Sequence, residues 1–256
     1  MSPTVFTSET LRNHTPLVSV VIPTYCEEKL LEETLKQFTP ALRERFSLEV
    51  IVSDGGSNDQ TVSIARKYAD VVIVHDEPNR QTIAEGRNIG AAYARGSILM
   101  FVNADTRLRD LPALLQDALA VLSTPGVVAL TCDVYIYPEE ERLSDWFFQR
   151  VYNTFFRFLN LIHWGMGRGE CQIIKREVFE QVGGYAPNLA AGEDYDLYRK
   201  LIRKGNVHFL RKHAVYESPR RYRRFGYLRV SWMWFVNALS VTLFHRSAWK
   251  QWKPVR

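Results

Sequence analysis

The chain has 256 residues, of which 46% are hydrophobic and 24% charged, and its net charge is +5. This is the composition of an ordinary globular protein with enough apolar material for a sizeable core, arranged as one large domain or two small ones; it excludes a disordered chain. The positive charge is local: residues 218–256 hold nine Lys/Arg, no Asp/Glu and four of the six Trp, so residues 1–217 carry a net −4.

Residues 1–16 read as a polar tail without the basic start and apolar run of a signal peptide. A buried strand is predicted at Val18–Ile22, followed by a helix at Leu30–Phe38. The second strand is Leu48–Ser53, with a helix at Thr61–Tyr68 after it. A third strand at Val71–Val74, a helix at Ile83–Ala94 and a fourth strand at Ile98–Val102 complete the first half. Continuous apolar strands alternating with helices predict a parallel sheet covered on both faces. Ser57 with Gln60, and Thr82 with Glu85, fit the capping-box spacing.

Past Thr106 the pattern is mixed. A helix is predicted at Leu111–Leu122, a strand at Val127–Tyr137 and an aromatic amphipathic stretch at Leu143–Trp164. A short strand at Gln172–Lys175, a helix at Glu193–Lys204 and two strands near Val207–Leu210 and Ala214–Tyr216 follow. The three cysteines, Cys26, Cys132 and Cys171, have no CxxC or Cys/His metal spacing, so free thiols in a reducing compartment, the cytoplasm, are expected.

Ligands of open parallel sheets bind at the carboxyl ends of the strands. The first strand ends in Pro23-Thr24-Tyr25-Cys26-Glu27-Glu28, which lacks the GxGxxG loop of dinucleotide-binding dehydrogenases. The second ends in Asp54-Gly55-Gly56-Ser57, where a carboxylate can accept an N–H from a base and the glycines admit a ligand close to the backbone; a plain strand-to-helix turn is the other reading. The fourth ends in Asn103-Ala104-Asp105, where an Asp can hold a divalent cation against a diphosphate, or simply occupy a turn. Arg87 can reach a phosphate or be solvated. Gly192-Glu193-Asp194-Tyr195-Asp196 opens a helix, and its acids either complement the helix dipole or supply a carboxylate base.

Taken together, VSVVIPTYCEE (18–28), VSDGGSNDQT (52–61), GRNIGAAYARGSILMFVNADT (86–106) and GGYAPNLAAGEDYDLYRKL (183–201) occur in the order of a known family. Over about residues 17–220 the chain resembles family 2 glycosyltransferases of the GT-A fold. The resemblance implies an α/β, Rossmann-like, mostly parallel central sheet flanked by helices, with residues 221–256 as a helical, aromatic-rich C-terminal extension. It implies a hexosyltransferase-like enzyme taking a nucleotide-diphosphate sugar and inverting the anomeric centre. Pro23, Thr24 and Glu27 would line the nucleotide pocket, Asp54 would bind the base and Arg87 would contact the nucleotide sugar. Asn103 and Asp105 occupy the DXD position, with Asp105 binding Mn²⁺ or Mg²⁺, and Asp194 is the catalytic base of the ED motif. Asn103 stands where the pattern has its first Asp and adds no charge to the metal site. The downstream metal-ligand His is not evident, although His208 and His213 are near. The QxxRW motif of processive synthases is absent, so one sugar per encounter is expected.

Arg220 and Arg221, in the run SPRRYRR, are candidates for a bidentate diphosphate clamp, or belong to a basic membrane-facing loop. Val230–Phe244 would span roughly 22 Å as a helix at ~1.5 Å per residue, short of a hydrocarbon core of roughly 30 Å. It either docks on the core or lies in an interface, and the aromatics and arginines of Leu143–Trp164 favour the second. A lipid-linked or membrane-proximal acceptor and peripheral attachment to an anionic membrane, at the inner face of the plasma membrane, are therefore expected. Nucleic acid is not an expected partner, since no binding motif accompanies the charge. The alternative is a catalytically silent nucleotide-sugar-binding or membrane-associated scaffold protein with the same fold.

Overall fold

The apolar runs of the first half form the centre of one sheet. The computed structural model describes residues 3–8, 15–77, 81–249 and 255. In chain order its first half comprises β1 (Thr4–Thr7), β2 (Val18–Thr24), α1 (Leu31–Lys36), α2 (Pro40–Phe46), β3 (Leu48–Asp54), α3 (Thr61–Tyr68), β4 (Val71–Val74), α4 (Ile83–Tyr93) and β5 (Ile98–Val102). The second half comprises β6 (Arg107–Leu108), α5 (Leu111–Leu122), β7 (Val127–Ile136), α6 (Leu143–Leu161), β8 (Cys171–Lys175), α7 (Arg176–Gln181), α8 (Glu193–Leu201), β9 (Asn206–Glu217), α9 (Arg220–Phe225) and α10 (Tyr227–Phe244). Lys250, Trp252, Lys253 and Arg256 of the basic end lie outside the described residues.

The strands form one nine-stranded sheet among the described residues, in the order β1-β4-β3-β2-β5-β8-β7-β9-β6. The pairs β4/β3, β3/β2 and β2/β5 are parallel. β8 is antiparallel to both β5 and β7, and β9 is parallel to β7. Hence β2, β3, β5, β7 and β9 all end at the same edge of the sheet, and β8 begins there. This brings Thr24, Asp54, Asn103 and Glu217, together with the Arg168–Glu170 segment that precedes β8, to one side.

Apolar residues fill both faces. Val20, Ile22, Val50, Val52, Met100 and Leu130 pack under α1, α2 and α5, while Val21, Ile51, Leu99, Phe101 and Ile174 pack against α4, α7 and α8. A third cluster joins the end of β7 to α6, α9 and α10 through Ile136, Tyr152, Phe156, Tyr222, Tyr227 and Val230. Tyr227 stacks on Phe148 at 4.5 Å and on Tyr222 at 4.3 Å. The C-terminal helices thus dock on α6, and α10 also reaches α8, where Asn237 Nδ2 donates to the Ala191 carbonyl at 2.9 Å.

Three expectations are corrected. Thr4–Thr7, read as tail, adds antiparallel to β4 as an edge strand. Ser57 is not a helix cap: its hydroxyl turns back to Asp54 at 2.6 Å, and α3 begins after Gln60 without a side-chain cap. The Thr82–Glu85 capping box does form at the start of α4. The two predicted strands near Val207 and Ala214 are one strand, β9, which bulges where the pairing jumps from Leu210 to Ala214. Within that bulge His213 reaches Asp117 at 2.8 Å. Pro40–Phe46, for which no element was predicted, forms a helix capped by Thr39, because the cap and the proline at the first turn favour it.

Candidate active site

The shared edge opens into a cavity of about 720 Å³ bounded by the ends of β2, β3, β5 and β9, the start of α8, and α6, α9 and α10. Pro23, Thr24, Glu27, Arg87, Asn103, Asp105, Asp194, Arg220 and Arg221 all line it. Residues up to about 190 positions apart in the sequence are therefore assembled at one place.

Asp54 is the exception. Its carboxylate is fully buried and accepts four bonds: Oδ1 from the Gly56 and Ser57 amides at 3.1 and 2.8 Å, and Oδ2 from the Thr24 and Ser57 hydroxyls at 2.8 and 2.6 Å. That exhausts a carboxylate's acceptor positions. Asp54 thus holds the turn whose next residue, Gly55, lines the cavity.

Arg87 is the most buried cation of the site, at 1% exposure. Its Nη1 donates to Glu193 Oε1 at 2.8 Å, and its Nη2 donates to Asn103 Oδ1 at 2.9 Å and to the Gly169 carbonyl at 3.1 Å. Asn103 is thus turned toward Arg87 by its own oxygen. A Cβ at Gly169 would stand 2.5 Å from Arg87 Nη2, so only glycine leaves room for the guanidinium. Arg87 ties the end of β5 and the approach to β8 to the start of α8.

Asp194 follows from that tie. It stands at the second position of α8, after Gly192, whose φ of 78° lies in the left-handed region. Its Oδ1 accepts from the Tyr195 amide at 2.8 Å. Burial pushes its pKa up to about 7, the neighbouring Glu193 charge adds to the rise, and Arg87 opposes it. A carboxyl poised near neutrality, facing a cavity, has the acidity suited to a general base.

Arg220 enters from the first position of α9. Its guanidinium donates to both oxygens of Glu27, at 3.0 and 2.9 Å, and to Asp105 Oδ2 at 2.9 Å. Tyr137 donates its hydroxyl to the Asp105 carbonyl and so fixes the turn after β5. Among the described residues no three His, Cys, Asp or Glu side chains stand together as a closed metal site. Asp105 therefore suits a divalent cation only as one ligand of several, the others being oxygens of a diphosphate or water. His208 and His213 lie on β9 away from the cavity lining.

A second group of charges on the cavity wall was not anticipated. Arg168 donates from Nη1 to Gln149 Oε1 at 2.8 Å and from Nη2 to Glu217 Oε1 at 2.6 Å, and its Nε lies 3.3 Å from Glu170 Oε2. Burial pushes Glu217 up to about 7, with Arg168 opposing and Glu170 adding. For Glu170 burial is the largest single influence, but Arg168, a backbone hydrogen bond, the bond to Glu217 and Arg87 together outweigh it and hold its carboxyl below the usual range. Glu217 was legible in principle, since it ends a strand at the ligand edge; Arg168 and Glu170 sit in an irregular segment that gives no periodic signal.

Part of the remaining lining is aromatic. Phe155, Phe156 and Trp164 face it from α6 and the following turn, and Trp234 and Phe235 from α10. α6 buries Asp145, Gln149, Asn153 and Asn160 and exposes Phe147, Val151, Phe155 and Phe158 on its other side. The exposed face of α10 carries Leu228, Trp232, Phe235, Leu239 and Leu243. No helix among the described residues is long and apolar enough to cross a membrane.

Residues 19–183 match the family described as Glycosyl transferase family 2. Validoxylamine A glucosyltransferase of Streptomyces hygroscopicus subsp. limoneus is 37% identical over 125 residues, 47% of this chain and 27% of that protein. Dolichyl-phosphate beta-glucosyltransferase of Mus musculus is 29% identical over 160 residues, 57% of this chain and 49% of that protein. Among solved structures, a mannosyltransferase from Pyrobaculum calidifontis in complex with GDP-Man and Mn²⁺ superposes with a TM-score of 0.66 at 25% identity, covering 89% of this chain and 63% of that one. The chain thus spans about a quarter to a half of the length of these two curated relatives. The family match ends before Glu193–Asp194, Glu217 and Arg220, so those residues rest on the geometry alone.

Proposed function

The chain belongs to glycosyl transferase family 2, and on that premise we propose that it transfers a sugar from a nucleotide-diphosphate sugar to an acceptor hydroxyl with inversion. The observation that carries this reading is Asp194, a carboxyl with a pKa near 7 on the wall of the cavity that Asp105 and the two arginines also line. Asp194 takes the proton of the acceptor hydroxyl, the hydroxyl oxygen bonds to the anomeric carbon from the face opposite the diphosphate, and the bond from that carbon to the diphosphate oxygen breaks. Pro23, Thr24 and the backbone at Gly55 bound the nucleoside. Arg87 holds Asn103 and Glu193 in place beside the sugar. Arg220 and Arg221 face the leaving diphosphate and oppose its charge. A divalent cation, Mn²⁺ or Mg²⁺, supplies further neutralisation of that charge when bound at Asp105.

The donor reading is tested by Asp105→Ala. In the natural chain Mn²⁺ is expected to tighten binding of UDP or GDP, and in the variant this enhancement is expected to vanish, as calorimetric titration with and without the ion reads. An unchanged enhancement would remove Asp105 from the site.

The acceptor we propose is lipid-linked or membrane-proximal. The support is the inverted character of α6, which turns its amides inward and Phe147, Phe155 and Phe158 outward, beside an equally apolar face of α10. Phe155, Trp164 and Phe235 belong both to this exposed surface and to the cavity lining, so the mouth opens onto it. Exposed Arg142, Arg150, Arg224, Arg229 and Arg246 lie on the same helices or next to them, which suits peripheral attachment to an anionic membrane. A relative named for dolichyl phosphate agrees with a lipid acceptor. Trp232→Glu with Phe235→Glu is expected to reduce sedimentation with phosphatidylserine-containing vesicles by about tenfold or more, at ~0.8 kcal/mol per buried CH₂ equivalent. Wild-type protein that stays in the supernatant at low salt would sink the membrane reading.

A further inference from the structure

Arg220 stands where the donor-site reading puts a metal. Glu27 and Asp105 come from the turns after β2 and β5, both are largely shielded from solvent, and one guanidinium from α9 bridges them. Two carboxylates this close, away from bulk water, need a cation between them, because like charges in a partly desolvated place repel strongly. A divalent ion is the other species that such a pair attracts, and it would compete with Arg220 for the Asp105 carboxylate. Arg220 is also one residue from Arg221 and lines the same cavity, so it has phosphate chemistry within reach once it leaves the acids.

Resting on the donor-site reading above, we propose that Arg220 is a built-in counter-ion that excludes a bare divalent cation from Asp105 and yields the position only to a cation arriving with a diphosphate. Charge complementarity is kept in both states. Without donor, the guanidinium answers Glu27 and Asp105. With donor, a divalent ion would answer the two negative charges of Glu27 and Asp105 together, and the guanidinium would turn to the phosphate oxygens. The site is thereby selective for the metal–nucleotide complex over the free ion, and release of the diphosphate is coupled to the return of Arg220.

The signature is an effect of opposite sign on two ligands. Arg220→Gln is expected to bind Mn²⁺ alone about tenfold more tightly than the natural chain, since one cation at ~4–6 Å shifts an anionic site by about one to three decades. The same variant is expected to bind Mn²⁺ with UDP or GDP about tenfold more weakly, because a phosphate partner is lost. Loss of the free-ion EPR signal of Mn²⁺ on titration with full-length protein reads the first, and competition by unlabelled nucleotide against a fluorescent analogue reads the second. A purely structural ion pair would weaken both together. Arg220→Gln that binds Mn²⁺ alone no more tightly than the natural chain overturns the proposal. Should that variant fail to fold, Arg220→Lys keeps the charge but not the fork that spans both acids; it is expected to tighten Mn²⁺ by a smaller factor, and an unchanged affinity there overturns the proposal equally. Natural protein that binds neither UDP nor GDP would instead overturn the donor-site reading, while the comparison with Mn²⁺ alone still decides whether Arg220 holds the cation position.

Discussion

Asp194→Asn is expected to lower turnover by about 10²–10⁴, the range for loss of general-base catalysis, and at the same time to raise thermal stability above pH 7. The first effect follows because Asn has the size and hydrogen bonding of Asp but takes no proton. Donor affinity should be unchanged, which release of nucleoside diphosphate and equilibrium titration measure separately. The second effect follows from the carboxyl's acidity. Burial, with the Glu193 charge second, weakens that acidity, raising the pKa from the ordinary 3.8 to about 7. Between about pH 4 and 7 the folded chain therefore keeps a proton that the unfolded chain has lost, so this group's contribution to stability falls as pH rises through that window and stays low above it. Asn carries no such deficit. Allowing for solvent in the cavity, the gain at pH 8 is about 1–2 kcal/mol, or roughly 2–8 °C in a chain of this size; at pH 4 it disappears. Near-normal turnover in the variant would leave Asp194 as no more than a helix-dipole partner, and equal melting temperatures of the two proteins at pH 8 would contradict the raised pKa. The same two assays bear on a scaffold protein, which would show no turnover to lose.

Arg87→Met is expected to cost about 3–5 kcal/mol of stability, the scale for removing one member of a buried ion pair. Methionine fills similar volume, but Glu193 is left without its cation, and Asn103 Oδ1 and the Gly169 carbonyl lose a donor at 2.9 and 3.1 Å. The expected fall in melting temperature is roughly 6–20 °C. A double variant, Arg87→Met with Glu193→Gln, should recover much of the loss, since the stranded charge is its largest part. A single variant that melts within a degree or two of the natural chain would show that Arg87 is not the tie described here.

The contrast between the two halves of the chain shows what a sequence discloses. β2, β3, β4 and β5 are buried on both faces and so read as unbroken apolar runs, found to within a residue or two. The short motifs at their ends were equally plain, and nine of the ten site residues expected from them and from the later segments do line one cavity. Asp54 is not among them: a carboxylate followed by two glycines and a serine looks alike in sequence whether it faces a ligand or caps its own turn, and in the fold it accepts four bonds from that turn and from Thr24. The partnership of Arg220 with Glu27 spans 193 positions and leaves no local pattern. α6 was recognised as aromatic and amphipathic, but nothing in its periodicity says that the amide face turns inward, since that depends on Val134, to whose carbonyl Asn153 donates at 3.0 Å, and on Arg168, which bonds Gln149.

The place of β9 in the sheet has a consequence for how the chain is made. β9 lies against β7, yet about 80 residues separate the end of one from the end of the other. At a synthesis rate of ~5–20 residues per second, that is about 4–16 s during which β7 has left the ribosome and its final neighbour has not. Throughout that interval β7 offers a ten-residue edge whose side chains are almost all destined for the interior, the kind of open edge that pairs with a stray strand. α6, with Phe147, Phe155 and Phe158 outward, emerges in the same interval, before α10 exists to flank it. The nascent chain therefore passes through a period of exposure that its finished form does not record, and a chaperone or a membrane surface met at that moment would meet β7 together with α6, which later borders the cavity.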